Sequence, residues 1–423
     1  MESIAKNVTE IQLPHGERIF IAPMKAKDVV SFEGSFYGGW NMLPDALGQV
    51  PMLAAELLDA GTKSRSKDVI RGTLAAKGAS LSFSAGGDRT YFSGSCLPED
   101  LSAVLKIAAE CISEPALPAK ELAAAKEREL GNFEEEKSET NAQGAIAFSQ
   151  MIYDAKHVNY AETTDEKIKG TKKVVRTDVA SFAKKFGRGG LVVAITGDVD
   201  VASATKAATS AFGRLAEGVT EIPAKKKNTK SAKAFEKHIL IKDKANIDTF
   251  IGAAVPLTYD SPEYLAFSTM VDMLGGRGLS TGHLMRTVRE QHGLTYGIYA
   301  MPYGFGDGAD GAFRIWATFS PATYKKAIET TLIEMKNFFA SGITQEALET
   351  KQEETTGRYL VALATTRGLA SRLHSIGIQR KQLSYLDEYP LLINRLTLTE
   401  IEDAATLVPM GALSIAAAGT FQK

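Results

Sequence analysis

Two periodicities take turns along the chain. Short extended apolar runs gather at the start, middle and end of each half, and segments with helical spacing lie between them. The first half opens with ERIFIAP (17–23) and VVSFEGSFYGG (29–39), and the second with KHILIKD (237–243) and DTFIGAAV (248–255). Each half closes on a helix-like run that leads into an apolar strand. RTDVASFAKKF (176–186) precedes LVVAITGD (191–198), and LTEIEDAATLV (398–408) precedes LSIAAAGT (413–420). The glycines that end these strands, Gly197 and Gly419, are 222 residues apart, and Lys126 and Lys351 are 225 apart. An offset that drifts by a few residues is what a duplicated domain with loop insertions gives. ASLSFSAGG with RTYFSGSCL (79–97) predicts a hairpin, and LTYGIYAMPYG with GAFRIWATFS (294–320) predicts its counterpart. The pattern predicts an α+β fold: two homologous sandwich halves, each a sheet with its helices segregated to one face.

The least globular stretch, PAKKKNTKSAKAFEK (223–237), holds six lysines and few apolar residues. It predicts a solvated Lys-rich linker between an N-terminal half, 1–222, and a C-terminal half, 238–423. At 423 residues the chain has room for more than one core. Its 49 Lys plus Arg against 50 Asp plus Glu supply no general attraction to nucleic acid or an anionic membrane. The longest apolar runs fall short of the roughly 20 residues that span a bilayer, and the first residues lack a signal-like apolar core. A cytoplasmic location is expected, or a periplasmic one if the sequence is a mature form. Cys96 and Cys111 fit neither a disulfide framework nor a CxxC metal site, and are expected as small buried hydrophobes.

Most candidate chemistry dissolves on inspection. No two of His15, His157, His238, His283, His292 and His374 stand four residues apart, so neither HExxH nor HxxEH can be built from them. GLSTG (278–282) matches the G-x-S-x-G nucleophile elbow, with Ser280 as nucleophile and His374 as a downstream base. An elbow needs a strand ahead of it. Here Ser261 reads as an N-cap and Pro262 as the first residue of a helix carrying Tyr264, Phe267, Val271 and Leu274 on one face. A Gly-rich loop between helices, GGRGLSTG (275–282), is the better reading, and it lacks the lysine of a phosphate loop. The acidic run EEEKSE (134–139) points in several directions on a helix and reads as a solvated face. LMRTVREQHGLTYGIYA (284–300) is the most informative segment. It predicts a short helix with Leu284, Met285 and Val288 inward, a left-handed stop at Gly293, and a strand in which Leu294, Tyr296 and Ile298 share one face. That reversal brings Arg289 and Tyr296 toward one cleft.

Two homologous α+β halves, a linker, and a Gly-rich loop followed by RExxGLxY (Arg289 to Tyr296) together resemble the insulinase (pitrilysin) family of zinc metallopeptidases. Within it, the chain is most similar to bacterial two-chain members and mitochondrial processing peptidase subunits. The resemblance covers nearly the whole chain and implies a processing-peptidase-like fold. Catalytic members carry HxxEH ahead of a Gly-Thr; this sequence has VPMLAAELLDAGTKSRS (50–66). Anchored on Gly61 and Thr62, Met52 and Glu56 fall where the two histidine ligands belong, and Ala55 falls at the general-base glutamate. A thioether, a carboxylate and a methyl group cannot hold zinc and activate water. The third ligand, a glutamate, would fall near Glu134 to Glu136 with nothing to complete.

The resemblance therefore implies a degenerate zinc motif at Met52, Ala55 and Glu56 and no cofactor in this chain, with Zn²⁺ in a homologous HxxEH-bearing partner. Arg289 and Tyr296 would complete that partner's site, and Gly275, Gly276, Gly278 and Gly282 would form a substrate loop. The expected function is the non-zinc subunit of a heterodimeric metalloendopeptidase that cleaves extended peptides. The alternative is a structural or peptide-binding protein with no catalytic role, like the core proteins of respiratory complexes.

Overall fold

The computed structural model describes residues 3–43, 49–230, 232–276, 282–306 and 308–422. Two compact units divide them. One holds the chain up to Gly131 with Asp165–Ala224 and Gly357–Leu391; the other holds Asn132–Thr164, Lys225–Thr356 and the chain from Leu392.

In the first unit β1 (Thr9–Gln12), β2 (Arg18–Pro23), β3 (Val30–Tyr37), β4 (Ser80–Ala85), β5 (Arg89–Cys96) and β6 (Val192–Gly197) form a sheet ordered β1-β2-β6-β3-β5-β4. In the second, β7 (Glu236–Leu240), β8 (Ile247–Ala254), β9 (Thr295–Tyr303), β10 (Ala312–Phe319) and β11 (Ser414–Gly419) are ordered β7-β11-β8-β10-β9. Without β1 the two orders coincide strand for strand. Each has one parallel pair, β2 with β6 and β7 with β11, among antiparallel ones. The duplication read in the sequence is thus present in the topology. Gly197 and Gly419 end equivalent strands with φ of +126° and +156°. A Cβ on Gly197 would strike the Val29 carbonyl, and one on Gly419 would lie 2.8 Å from the Asn246 carbonyl oxygen, so neither position admits a side chain.

The sheets are covered on both faces, which differs from the one-sided arrangement the sequence suggested. In the first unit Ile19, Ile21, Val193 and Ile195 face a core shared with the helices Val50–Glu56, Leu101–Ser113, Arg176–Ala183 and Val201–Phe212. The alternate residues Phe20, Ala22, Val192 and Ala194 face a second cluster with Leu369, Leu373 and Ile376 of the helix Thr366–Ile378. In the second unit the helix Thr140–Ile152 plays that part, placing Ala147, Phe148 and Ile152 on Phe250, Ala312 and Ala416. Each second-face helix comes from the opposite half of the sequence. Both are pinned alike at their first residue, to the second residue of β3 or β8: Thr366 Oγ1 lies 2.8 Å from Ser31 Oγ, and Thr140 Oγ1 donates to Asp248 Oδ2 at 2.5 Å. Every residue of β6 and β11 is buried, as a strand sandwiched between two layers must be.

Two local expectations shift. The helix after Ser261 and Pro262 runs Tyr264–Gly275, because Ser261 forms a turn in which its carbonyl accepts from Tyr264 N at 3.0 Å. The lysine-rich segment keeps most of its lysines exposed, as expected, but it is anchored at Asn228 and Thr229. Asn228 Nδ2 donates to the Ile152 carbonyl at 2.8 Å, Asn228 N to Asp310 Oδ2 at 3.1 Å, and Thr229 N to Asp154 Oδ2 at 2.7 Å. Both predicted hairpins form, β4 with β5 and β9 with β10. Among the described residues, no helix is long and apolar enough to cross a membrane.

Candidate functional site

The reversal that carries Arg289 and Tyr296 is built by two irregularities in succession. Met285–Gln291 is a π-helical stretch in which His292 N donates to the Thr287 carbonyl at 3.0 Å, so the segment is wider than an α-helix. Leu284, Met285 and Val288 face the core, as their spacing indicates, and Gly293 stops the helix with φ +63°. The second irregularity is a β-bulge. Thr318 of β10 pairs with Gly297 and Phe319 pairs with Thr295, so Tyr296 has no opposite residue. The bulge overturns the expected alternation: Ile298 is fully buried, whereas Tyr296 is 84% exposed. The Thr295 hydroxyl clamps the bulge, donating to the Thr318 carbonyl at 2.6 Å and accepting from Gly297 N at 3.1 Å. Arg289 Cζ lies 5.3 Å from the centre of the Tyr296 ring, a cation–π contact between the two predicted residues. A phenol and a guanidinium are thus presented together, with the phenol in solvent.

Met52, Ala55 and Glu56 lie on the helix Val50–Glu56, followed by Gly61 with φ +127°. Ala55 is buried, and the Glu56 carboxylate forms an ion pair with Arg128 on the helix Ala119–Glu136. Both groups line an open cavity of about 340 Å³ with Lys67, Arg71, Glu121 and Phe83. Lys67 and Glu121 form a second ion pair across it. These residues do not fit zinc. The one carboxylate among the three residues the resemblance aligns with the zinc motif is neutralised by a guanidinium, and the other two offer a thioether and a methyl group. Among the described residues no group of three or more His, Cys, Asp and Glu could hold a metal. Arg128 was not singled out in the sequence; only the folded helix brings it onto Glu56.

Gly275 and Gly282 end the Gly-rich loop and pack against one another. A Cβ on Gly282 would lie 2.7 Å from Gly275 Cα, and one on Gly275 would lie 2.8 Å from Ala300 N. Gly276 sits against its neighbour Asp272, where a Cβ would collide with the carboxylate. Gly278 and Ser280 lie outside the described residues. His374 is 1% exposed and bonded to Ser35 and Glu33 in the first unit. His283, at the head of the Arg289 segment, is 3.0 Å from Glu334, and burial holds its imidazole below the ordinary range against the pull of that carboxylate. Burial likewise pushes the Cys96 and Cys111 thiols up to about 12, with nearby carboxylates adding to the effect.

Residues 53–159 match the family described as insulinase (peptidase family M16), and residues 173–355 match the description peptidase M16 inactive domain. Over 375 residues the chain is 22% identical to an uncharacterised zinc protease of Streptomyces coelicolor, covering 86% of this chain and 79% of that protein. The crystal structure of a peptidase M16 inactive domain from Pseudomonas fluorescens superposes with a TM-score of 0.86 at 23% identity, over 99% of both chains. A protease from Helicobacter pylori gives 0.85 at 14% identity, over 97% of this chain and 99% of that one. The periplasmic protease PqqL from Escherichia coli gives 0.80 at 14% identity, where this whole chain matches 46% of that one. The two matched segments together take in most of the sequence, and the chain belongs to the insulinase (M16) family of peptidases.

Proposed function

We propose that this chain is the zinc-free subunit of a two-chain insulinase-type metalloendopeptidase, and that it lends Arg289 and Tyr296 to the active site of a homologous, HxxEH-bearing partner. The observation that carries the reading is the bulge. A tyrosine at a strand position is pushed out of the ladder to 84% exposure, with Arg289 over its ring, while Gly297 and Ile298 beside it are buried. An exposed phenol braced this way gains nothing for the fold of this chain, and it suits a surface that works against another molecule. The departures at Met52, Ala55 and Glu56 and the match to an inactive M16 domain support the same division of labour.

The metal in the partner supplies Lewis-acid chemistry. This chain's contribution is polar placement. The Tyr296 hydroxyl donates a hydrogen bond to the oxygen of the scissile carbonyl as negative charge gathers there, and Arg289 holds a neighbouring backbone carbonyl of an extended peptide with its forked donors. Such donors act by being fixed before the reaction begins.

Metal analysis and peptide cleavage by the chain alone and by the complex isolated from its native cell test this reading. The chain alone is expected to hold no stoichiometric zinc and to cleave nothing; the complex is expected to hold about one zinc per heterodimer and to cleave unfolded peptides. About one tightly held zinc in the isolated chain would overturn it. A complex that assembles without peptidase activity would favour a structural, core-like role.

A further inference from the structure

The duplicated units differ sharply at one pair of equivalent positions. The ninth residue of the second-face helix and the fourth residue of the strand beneath it are Phe148 and Phe250 in the second unit, with ring centres 6.2 Å apart. In the first unit they are His374 and Glu33, with His374 Nδ1 3.3 Å from Glu33 Oε1. The fold evidently accepts a plain apolar contact here. One unit carries a titratable pair in its place, and the imidazole is 1% exposed.

The hydrogen bonds around that imidazole run in one direction. Arg89 Nη1 can only donate, and it donates to Ser35 Oγ at 3.0 Å and to the Gly190 carbonyl at 2.7 Å. The Ser35 hydroxyl still has its one hydrogen to give, and His374 Nε2, 2.9 Å away, is the acceptor beside it. Nδ1–H is left to donate to Glu33, which fixes a neutral tautomer. Protonation would turn Nε2 into a donor to the second lone pair of the Ser35 oxygen, and the Ser35 hydrogen could no longer be given to the ring. Ser35 is fully buried, so its hydroxyl hydrogen would lose its acceptor out of reach of water.

We propose that the His374 cluster is an acid-sensitive clasp: protonation of the imidazole loosens the helix Thr366–Ile378 from the sheet of the first unit, while the helix Thr140–Ile152, held by Phe148 and Phe250, stays in place. The groups that face the ring or its carboxylate partner are Glu33 and Ser35 on β3, Arg89 and Tyr91 on β5, and Arg367 and Ser371 on the helix itself. Burial holds the imidazole below its ordinary range; Glu33 opposes this and Arg89 adds to it. Burial alone would raise the Glu33 carboxyl, but its hydrogen bonds and the charges of His374 and Arg367 bring it below the ordinary range. A depressed imidazole makes the clasp complete above the ordinary histidine pKa of about 6.5 and weaker as pH falls below it. Glu33 acts in the same sense at lower pH.

Hydrogen exchange on the full chain at pH 7.5 and 5.5, scaled for intrinsic chemistry, tests the clasp. Opening of 366–378 is expected to rise roughly tenfold, the linkage limit for a ring that stays neutral only when closed, with no rise at 140–152. His374→Gln keeps a polar group without titration and should abolish the difference. Histidine ring NMR of the unaltered chain gives an independent reading: the His374 resonance should stay neutral below pH 6.5. Equal responses of the two helices, a response that survives in His374→Gln, or a ring that titrates at the ordinary value while the helix stays protected would each overturn the proposal.

Discussion

Tyr296 and Ile298 stand two residues apart on β9, yet one is 84% exposed and the other fully buried. Their substitutions should separate function from stability. Tyr296→Ala is expected to change the unfolding free energy by no more than about 0.5 kcal/mol, whereas Ile298→Ala should cost roughly 2–5 kcal/mol by opening a cavity. Urea midpoints measure both. The cysteines make a second residue-scale forecast. With their thiols pushed up to about 12 and their side chains buried, Cys96 and Cys111 should resist a thiol-specific disulfide reagent at pH 8 and react fully once the chain unfolds. A fast native reaction would contradict that burial. At this scale the Gly293 stop and the inward Leu284, Met285 and Val288 were legible, because a helical stop and a helical stripe are local properties. The exposure of Tyr296 was not. Alternation presumes an unbroken ladder, and the bulge that breaks it is defined by the pairing with Thr318 and Phe319 across the hairpin.

Among the elements, the closing strands β6 and β11 were the most legible, since both read as continuous apolar runs ending in glycine. The same runs held a signal that periodicity left unused. A strand without hydrophobic–polar alternation is buried on both faces, so a second helical layer was implied by VVAI at the start of VVAITG, and the one polar residue, Thr196, donates into that layer at the Thr366 carbonyl. Which helix supplies that layer is not a local property. The apolar faces of Thr140–Ile152 and Thr366–Ile378 show that each must pack, but only tertiary structure assigns each to the sheet of the opposite sequence half. Gly197→Ala tests the strand ends. With φ at +126° and the Val29 carbonyl in the way, the substitution should cost about 1–3 kcal/mol or more and lower the thermal midpoint by several degrees. An unchanged midpoint would mean that this end of β6 adjusts freely.

For the whole molecule, the family membership and the degenerate motif define the question that matters. On the proposed reading the zinc-ligand positions fall at Met52 and Glu56; the structure pairs Glu56 with Arg128 and presents Tyr296 outward with Arg289 over its ring. The proposed heterodimer should bury well over about 1,000 Å² in total, and light scattering with the HxxEH-bearing chain should report a 1:1 complex. The division of labour itself is tested most directly by the turnover of that assembled complex carrying Tyr296→Phe, normalised to zinc content. If the phenol donates to the oxyanion, kcat should fall roughly 10²-fold or more, while zinc, assembly and thermal midpoint stay as they are. A kcat unchanged in Tyr296→Phe would contradict the shared site and leave the bulge as a structural feature of the helix-to-strand turn.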